Sequence, residues 1–237
     1  MDPSVTMESM PLPRLRLQRA PDPTLWFGPI AAASRILWLE GSASPPPELR
    51  TLRADLGERV VAPRVRAVPV PGPSPGRNPW AHRQDRQEPL RWGEGEGLEG
   101  PTTLAACLGD QRPFDALVFA TVCVDLADQP LRALLRQLPS HLAPDTPFLL
   151  CEPNGRSALA MARNLVADQR GEGRGTARTV EELRRLLETC GLGLSAAWGL
   201  GGAGKRGRLA RRILGEDLGA DWLLVTGRAI RGGEDLR

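Results

Sequence analysis

The sequence contains no tyrosine, a single lysine (Lys205) and only two histidines, His82 and His141. With one lysine, the cationic side chains are almost all arginine. That pattern reads as the codon bias of a high-GC genome, and the net charge is only +3. Nucleic acid is therefore not an expected partner. No apolar run approaches the roughly 18 residues that a membrane-spanning helix needs. The first 23 residues, rich in proline and arginine, lack the apolar core of a secretory signal, so the cytoplasm is the expected location. Cysteines stand at Cys107, Cys123, Cys151 and Cys190, and no two have metal-ligand spacing. Two of them, Cys123 and Cys151, lie inside apolar runs. Buried, reduced thiols and no metal site are expected.

What is present is a steady alternation of strand and helix signals. The pattern predicts a poorly ordered segment over 1–23, one α/β domain over 24–232 and a tail over 233–237. Apolar residues make up 41% of the chain, enough for a full core. "RILWL" reads as a buried strand, and prolines followed by Gly57 bracket a short helix over Glu48–Leu56. "RVRAVPV" (64–70) reads as a second strand. A long Pro/Gly-rich loop then occupies 71–100, with one short strand around Pro89–Trp92. "TTLAACLG" reads as a short helix. "FDALVFATV" (114–122) is apolar almost throughout, as a parallel strand covered on both faces would be. Leucines at 131, 134, 135, 138 and 142 predict an amphipathic helix over 129–142, and "PFLLCEPN" (147–154) is another buried strand. "SALAMARNLVADQ" is helical, and "TVEELRRLLETCG" opens with a Thr179/Glu182 capping box and closes at Gly191. "LSAAWGL", a basic helix from Lys205 and "DWLLVTGRAI" complete a doubly wound sheet.

Over 114–154 the chain resembles the fourth-to-fifth-strand segment of class I S-adenosylmethionine-dependent methyltransferases of the small-molecule type. A strand opening Phe-Asp, a leucine-rich helix and a strand ending Pro-Asn carry the likeness. The tail resembles the family's helix, sixth strand and antiparallel seventh strand. The resemblance implies a Rossmann-like, seven-stranded, mostly parallel sheet with an antiparallel last strand. It also implies S-adenosylmethionine as cofactor and methyl transfer to a small molecule. On that alignment, "RILWLEGSAS" falls on the glycine-rich cofactor loop. Leu39, Glu40, Gly41 and Ser42 would meet the cofactor from that side, and Ala120, Thr121 and Val122 from the fourth strand. Of Glu94 and Glu96, Glu96 is the one that would meet the adenine amino group.

The same alignment exposes departures from the family. Trp38 replaces an acidic residue, and Glu40, Ser42 and Ser44 replace glycines that let backbone approach a ligand. Pro71 and Gly72 stand where a ribose-binding acid is expected. Val124 and Asp125 stand in place of an acidic-His pair, leaving Asp125 as the candidate catalytic side chain and no histidine base. These losses also fit a catalytically inactive domain that acts by binding or regulating a protein partner.

Other residues have two readings each. Glu152 and Asn154, at a strand's carboxyl end, would contact substrate or merely terminate the strand. Trp80, His82 and Trp92 would form a lid over an aromatic or anionic ligand, or belong to a solvated loop. Asp128 would serve the site or cap the following helix. The basic run 205–212 reads as the outer face of a helix, and "GLGGAGKRG" lacks the hydroxyl residue after lysine that a phosphate loop requires.

Overall fold

The computed structural model describes residues 17–20, 22–67, 90–93, 104–108, 112–157, 160–161, 177–201, 212, 215 and 218–230. β2 (Ile36–Glu40) shows how the core is divided. Side chains alternate across a strand, so Ile36 and Trp38 face one layer while Leu37 and Leu39 face the other. All four are fully buried. Ile36 and Trp38 pack with Trp26 and Ile30 of α1 (Pro23–Ala31) and with Leu49, Leu52 and Leu56 of α2 (Pro47–Leu56). Leu37 and Leu39 join Leu131, Leu134 and Leu135 of α5 (Asp128–Gln137) and Leu183, Leu186 and Leu187 of α6 (Val180–Glu188). The short helix α3 (Leu104–Leu108) is fastened to α5, its Leu104 N–H donating to Gln137 Oε1 at 2.7 Å. The Thr179/Glu182 capping box is present at the start of α6.

The remaining strands are β1 (Gln18–Arg19), β3 (Val60–Val61), β4 (Arg64–Ala67), β5 (Leu90–Gly93), β6 (Ala116–Ala120), β7 (Pro147–Pro153), β8 (Leu192–Leu200) and β9 (Trp222–Ala229). Seven of the strands form one sheet in the order β1-β8-β9-β7-β6-β2-β3. β9 runs antiparallel to both β7 and β8, and the other neighbours are parallel. The expected sheet, with its last strand reversed, is what forms. From β2 the chain winds through α2 to β3 on one side, and β6 pairs on the other. Strand order therefore reverses between β2 and β6. In open α/β sheets ligands bind outside the carboxyl ends of strands at such a reversal.

Three local expectations are corrected. The second parallel strand is Val60–Val61 rather than 64–70, because Pro63 has no N–H to donate to a ladder and the chain leaves the sheet there. Arg64–Ala67 instead pairs antiparallel with Leu90–Gly93 in a separate two-stranded sheet. Within the segment expected to lack order, Gln18–Arg19 pair with Trp198 and Gly199 at the sheet's edge, and Leu17 is buried. The stretch before β2, read only as an apolar entry, is the helix α1.

The amino ends of β2 and β6 are tied by one carboxylate. Asp115 accepts from the Ser34 N–H (2.9 Å), the Ser34 hydroxyl (2.6 Å) and the Arg35 N–H (2.7 Å). Burial raises the Asp115 pKa, but these hydrogen bonds outweigh it and hold the group below the usual carboxylate range. The Phe-Asp pair that opens this strand in the sequence thus has a structural role. Its Phe114 is buried, and the Arg35 guanidinium lies 4.4 Å from that ring's centre.

Candidate functional site

At the carboxyl edge, β2 runs into Gly41, Ser42 and Ala43, and β6 runs into Thr121 and the one-turn helix α4 (Val122–Asp125). The two loops form lips that touch. Gly41 N–H donates to the Ala120 carbonyl at 2.8 Å, extending the ladder by one residue. A Cβ at position 41 would lie 2.2 Å from the Thr121 carbonyl oxygen and 2.6 Å from Asp125 Oδ2. Glycine is required here because the opposite lip, not open space, fills the position.

Asp125 bridges the lips directly. The Ser42 N–H donates to its Oδ2, and the Ser42 hydroxyl donates to Oδ1 at 2.8 Å. Thr121 adds a bond from its hydroxyl to the Ala43 carbonyl at 2.8 Å. Thr121 has φ 65° and ψ 14°, a left-handed conformation that a β-branched residue rarely adopts. It is held there by complete burial and by its N–H bond to the Cys151 carbonyl at 2.9 Å. That conformation turns α4 back toward Ser42.

Behind the lips lies a buried clamp. Glu152, only 2% exposed, accepts from the N–H groups of Cys123 (2.8 Å) and Val124 (3.1 Å). Burial pushes its pKa up to about 8, against the opposing pull of these bonds and of the nearby Arg178. Burial, with Glu152 beside it, also raises the Cys123 thiol well above its ordinary value, so it is an inert core group. Arg178, 6% exposed, donates to the carbonyls of Cys123 and Leu126, the latter at 2.8 Å, and to Asp128 Oδ1 at 2.8 Å. One guanidinium therefore gathers both ends of the 123–128 turn. Nothing in the local pattern marks Arg178 out among so many arginines; its position just before the α6 cap is the only sequence signal it carries.

These contacts sort the candidate residues. Glu40, Gly41, Ser42, Ala120, Thr121, Val122 and Asp125 come together at the lips. Leu39 is a core side chain, which leaves only its backbone near the edge. Glu40 is ion-paired with Arg53, whose guanidinium lies 5.7 Å from the Trp38 ring centre. Among the described residues the buried Trp38 indole N–H has no acceptor.

Asp128 does not cap α5. Ala127 occupies the cap position, and Asp128 pairs with Arg178. Glu152 and Asn154 are buried and bonded within the chain: Asn154 Nδ2 donates to the Ala220 carbonyl at 2.9 Å, and its Oδ1 accepts from the Arg156 N–H at 3.0 Å. Trp92 lies in β5, paired with Val65. Trp80, His82, Glu96 and the basic run before Arg212 lie outside the described residues. Among the described residues no group of three His, Cys, Asp or Glu side chains is placed to hold a metal, and no helix is long and apolar enough to cross a membrane.

Among solved structures, a SAM-dependent methyltransferase from Archaeoglobus fulgidus superposes with a TM-score of 0.50 at 10% identity, over 86% of this chain and 90% of that one. The fold is that of a class I methyltransferase. A 1,6-didemethyltoxoflavin-N1-methyltransferase and an O-methyltransferase family protein, both from Burkholderia thailandensis, are similar at 12% identity each, with TM-scores of 0.41 and 0.45. They match 88% and 87% of this chain over 76% and 54% of their own. The chain spans only 35% and 42% of the length of two other methyltransferases that it matches. No family model and no curated protein matches the sequence.

The loop after β2 presents two donors, the Ser42 N–H and hydroxyl, that fit a carboxylate. They already hold one, that of Asp125.

Proposed function

We propose that this chain is a methyltransferase that binds S-adenosylmethionine at the carboxyl edge and methylates a small molecule. The carrying observation is the pair of Ser42 donors, N–H and hydroxyl, bonded to a carboxylate where strand order reverses. The cofactor, when bound, supplies a methyl group on a sulfonium, and transfer demands chiefly that the acceptor be aligned with it. On this reading Ser42 anchors the amino-acid end, and Glu96 takes the adenine amino group. Trp80, His82 and Trp92 cover the acceptor. Glu152 and Arg178 hold the 123–128 turn in position through their bonds to it and do not themselves touch the acceptor. With four free cysteines, three of them buried, the chain suits the reducing cytoplasm.

A second reading, a domain that has given up catalysis and binds a protein partner, is favoured by a different observation. The three carboxylates of the edge, on Glu40, Asp125 and Glu152, are all bonded within the chain. Calorimetric titration with S-adenosylmethionine and S-adenosylhomocysteine decides between them. Binding by the native chain or by a variant lacking the Asp125 carboxylate supports the first. No heat and no melting shift in either, with both folded, ends it and leaves the second.

A further inference from the structure

Three features at the lips point the same way. The Asp125 carboxylate takes both donors that Ser42 offers. Gly41 is pressed so closely against Thr121 and Asp125 that not even a methyl group fits between. Thr121, the residue from which α4 turns back, is in a left-handed conformation, and strain of this kind collects at segments that switch. Ser42 is exposed and Asp125 only half-buried, so the bridge lies within reach of solvent and of an incoming ligand. The buried bonds of Glu152 and Arg178 fix the other side of the same turn. Movement of Asp125 away from Ser42 therefore needs no disruption of the core.

We propose that Asp125 is an internal occupant of the Ser42 carboxylate site, a latch that has to swing out before the amino-acid end of an anionic ligand can enter. The proposal rests on the reading of this edge as a cofactor site and goes beyond it. It assigns Asp125 as a competitor of the ligand and not as a catalytic group or a ligand contact. Two carboxylates cannot share the same two donors, and their like charges repel at that distance. Binding strength is spent on displacing the latch, and a chain without the latch binds more tightly.

The test is the dissociation constant of S-adenosylhomocysteine for the native chain, Asp125→Ala and Asp125→Asn, with thermal melts to show that each is folded. Removing a charge-assisted pair of bonds should tighten binding roughly ten- to hundredfold in Asp125→Ala. Asp125→Asn, whose amide oxygen can still accept from one Ser42 donor, should fall between, and it keeps the test alive if the alanine variant does not fold. Hydrogen exchange gives a second readout: the Ser42 amide should be protected in the native chain, exposed in Asp125→Ala and protected again on adding ligand. Equal or weaker binding by both variants, with the native chain binding, overturns the latch and leaves the cofactor site standing. Binding by none of the three folded chains overturns the cofactor site and the latch together.

Discussion

The two ends of the β2–β6 pair are fastened by the same chemistry on different backbone. At the amino end Asp115 accepts two bonds from Ser34 and a third from Arg35. At the carboxyl end Asp125 accepts two from Ser42. Asp115 stands one residue before the regular part of β6, outside the left-handed region, next to the buried Phe114. Asp125 hangs from a four-residue helix entered through the left-handed Thr121. A carboxylate clamp on unstrained strand ends is a fold element. A similar clamp placed across the strand-order reversal, on strained backbone with a buried brace behind it, has the build of the latch proposed above.

The brace offers the largest way to break this contrast. Arg178→Ala would strip the Cys123 and Leu126 carbonyls of their partner and leave Glu152 without its nearby cation. A loss of about 2–3 kcal/mol is expected from leaving those buried carbonyls without a donor. Urea titration measures it, and a loss below about 1 kcal/mol would show that the brace is not structural.

Next comes the opposite pH response of the two ends. Glu152 has a folded value of about 8 against an ordinary 4.5. Between these values the folded chain keeps a proton that the unfolded chain has released. Stability should therefore fall as pH rises through that window, by up to about 1.4 kcal/mol per pH unit, and level off above it. In Glu152→Gln the slope should vanish. Asp115, held below the usual carboxylate range, has the reverse sign: its contribution is complete above the ordinary value and disappears as pH falls through the folded one. Asp115→Ala should cost about 2 kcal/mol at pH 7 and little in strong acid, as chemical denaturation at the two pH values would show.

The smallest effect sharpens the claim about strain. Thr121→Ala and Thr121→Gly both lose the hydroxyl bond to Ala43, but glycine tolerates the left-handed backbone. The glycine variant should be the more stable of the two by roughly 1 kcal/mol. Equal melting of the two would remove strain from the account of the latch.

Much of this architecture is legible in the chain itself, for a local reason. The continuous apolar runs of "RILWL" and "FDALVFA" mark two strands buried on both faces, the leucine spacing of α5 marks its buried stripe, and Thr179 with Glu182 closes its own capping box within one turn. That residues 40–42 and 120–125 meet at one carboxyl edge follows from those strand assignments. The amino-terminal strand is less legible, because Gln18 and Arg19 carry no apolar pattern and join the sheet only because β8 offers them an edge. The early end of the second parallel strand turns on Pro63, where the proline's missing N–H outweighs the strand-like alternation that follows it.

What the sequence determined by itself, then, is the path of the backbone: which segments are strands, which faces are apolar and which strand ends crowd together. Those follow from periodicity, caps and proline chemistry, all of which act within a few residues. Only the tertiary structure decided what the polar side chains at that edge do. Ser42 and Asp125 are 83 residues apart in the chain, Arg178 and Asp128 are 50 apart, and Glu152 and Cys123 are 29 apart. Each pair meets only when the sheet brings the loops and helix starts at its carboxyl edge together. A carboxylate that looks free in the sequence is then claimed by whichever donor the fold brings within about 3 Å, since a buried or half-buried charge left without a partner costs more than the bond it forms.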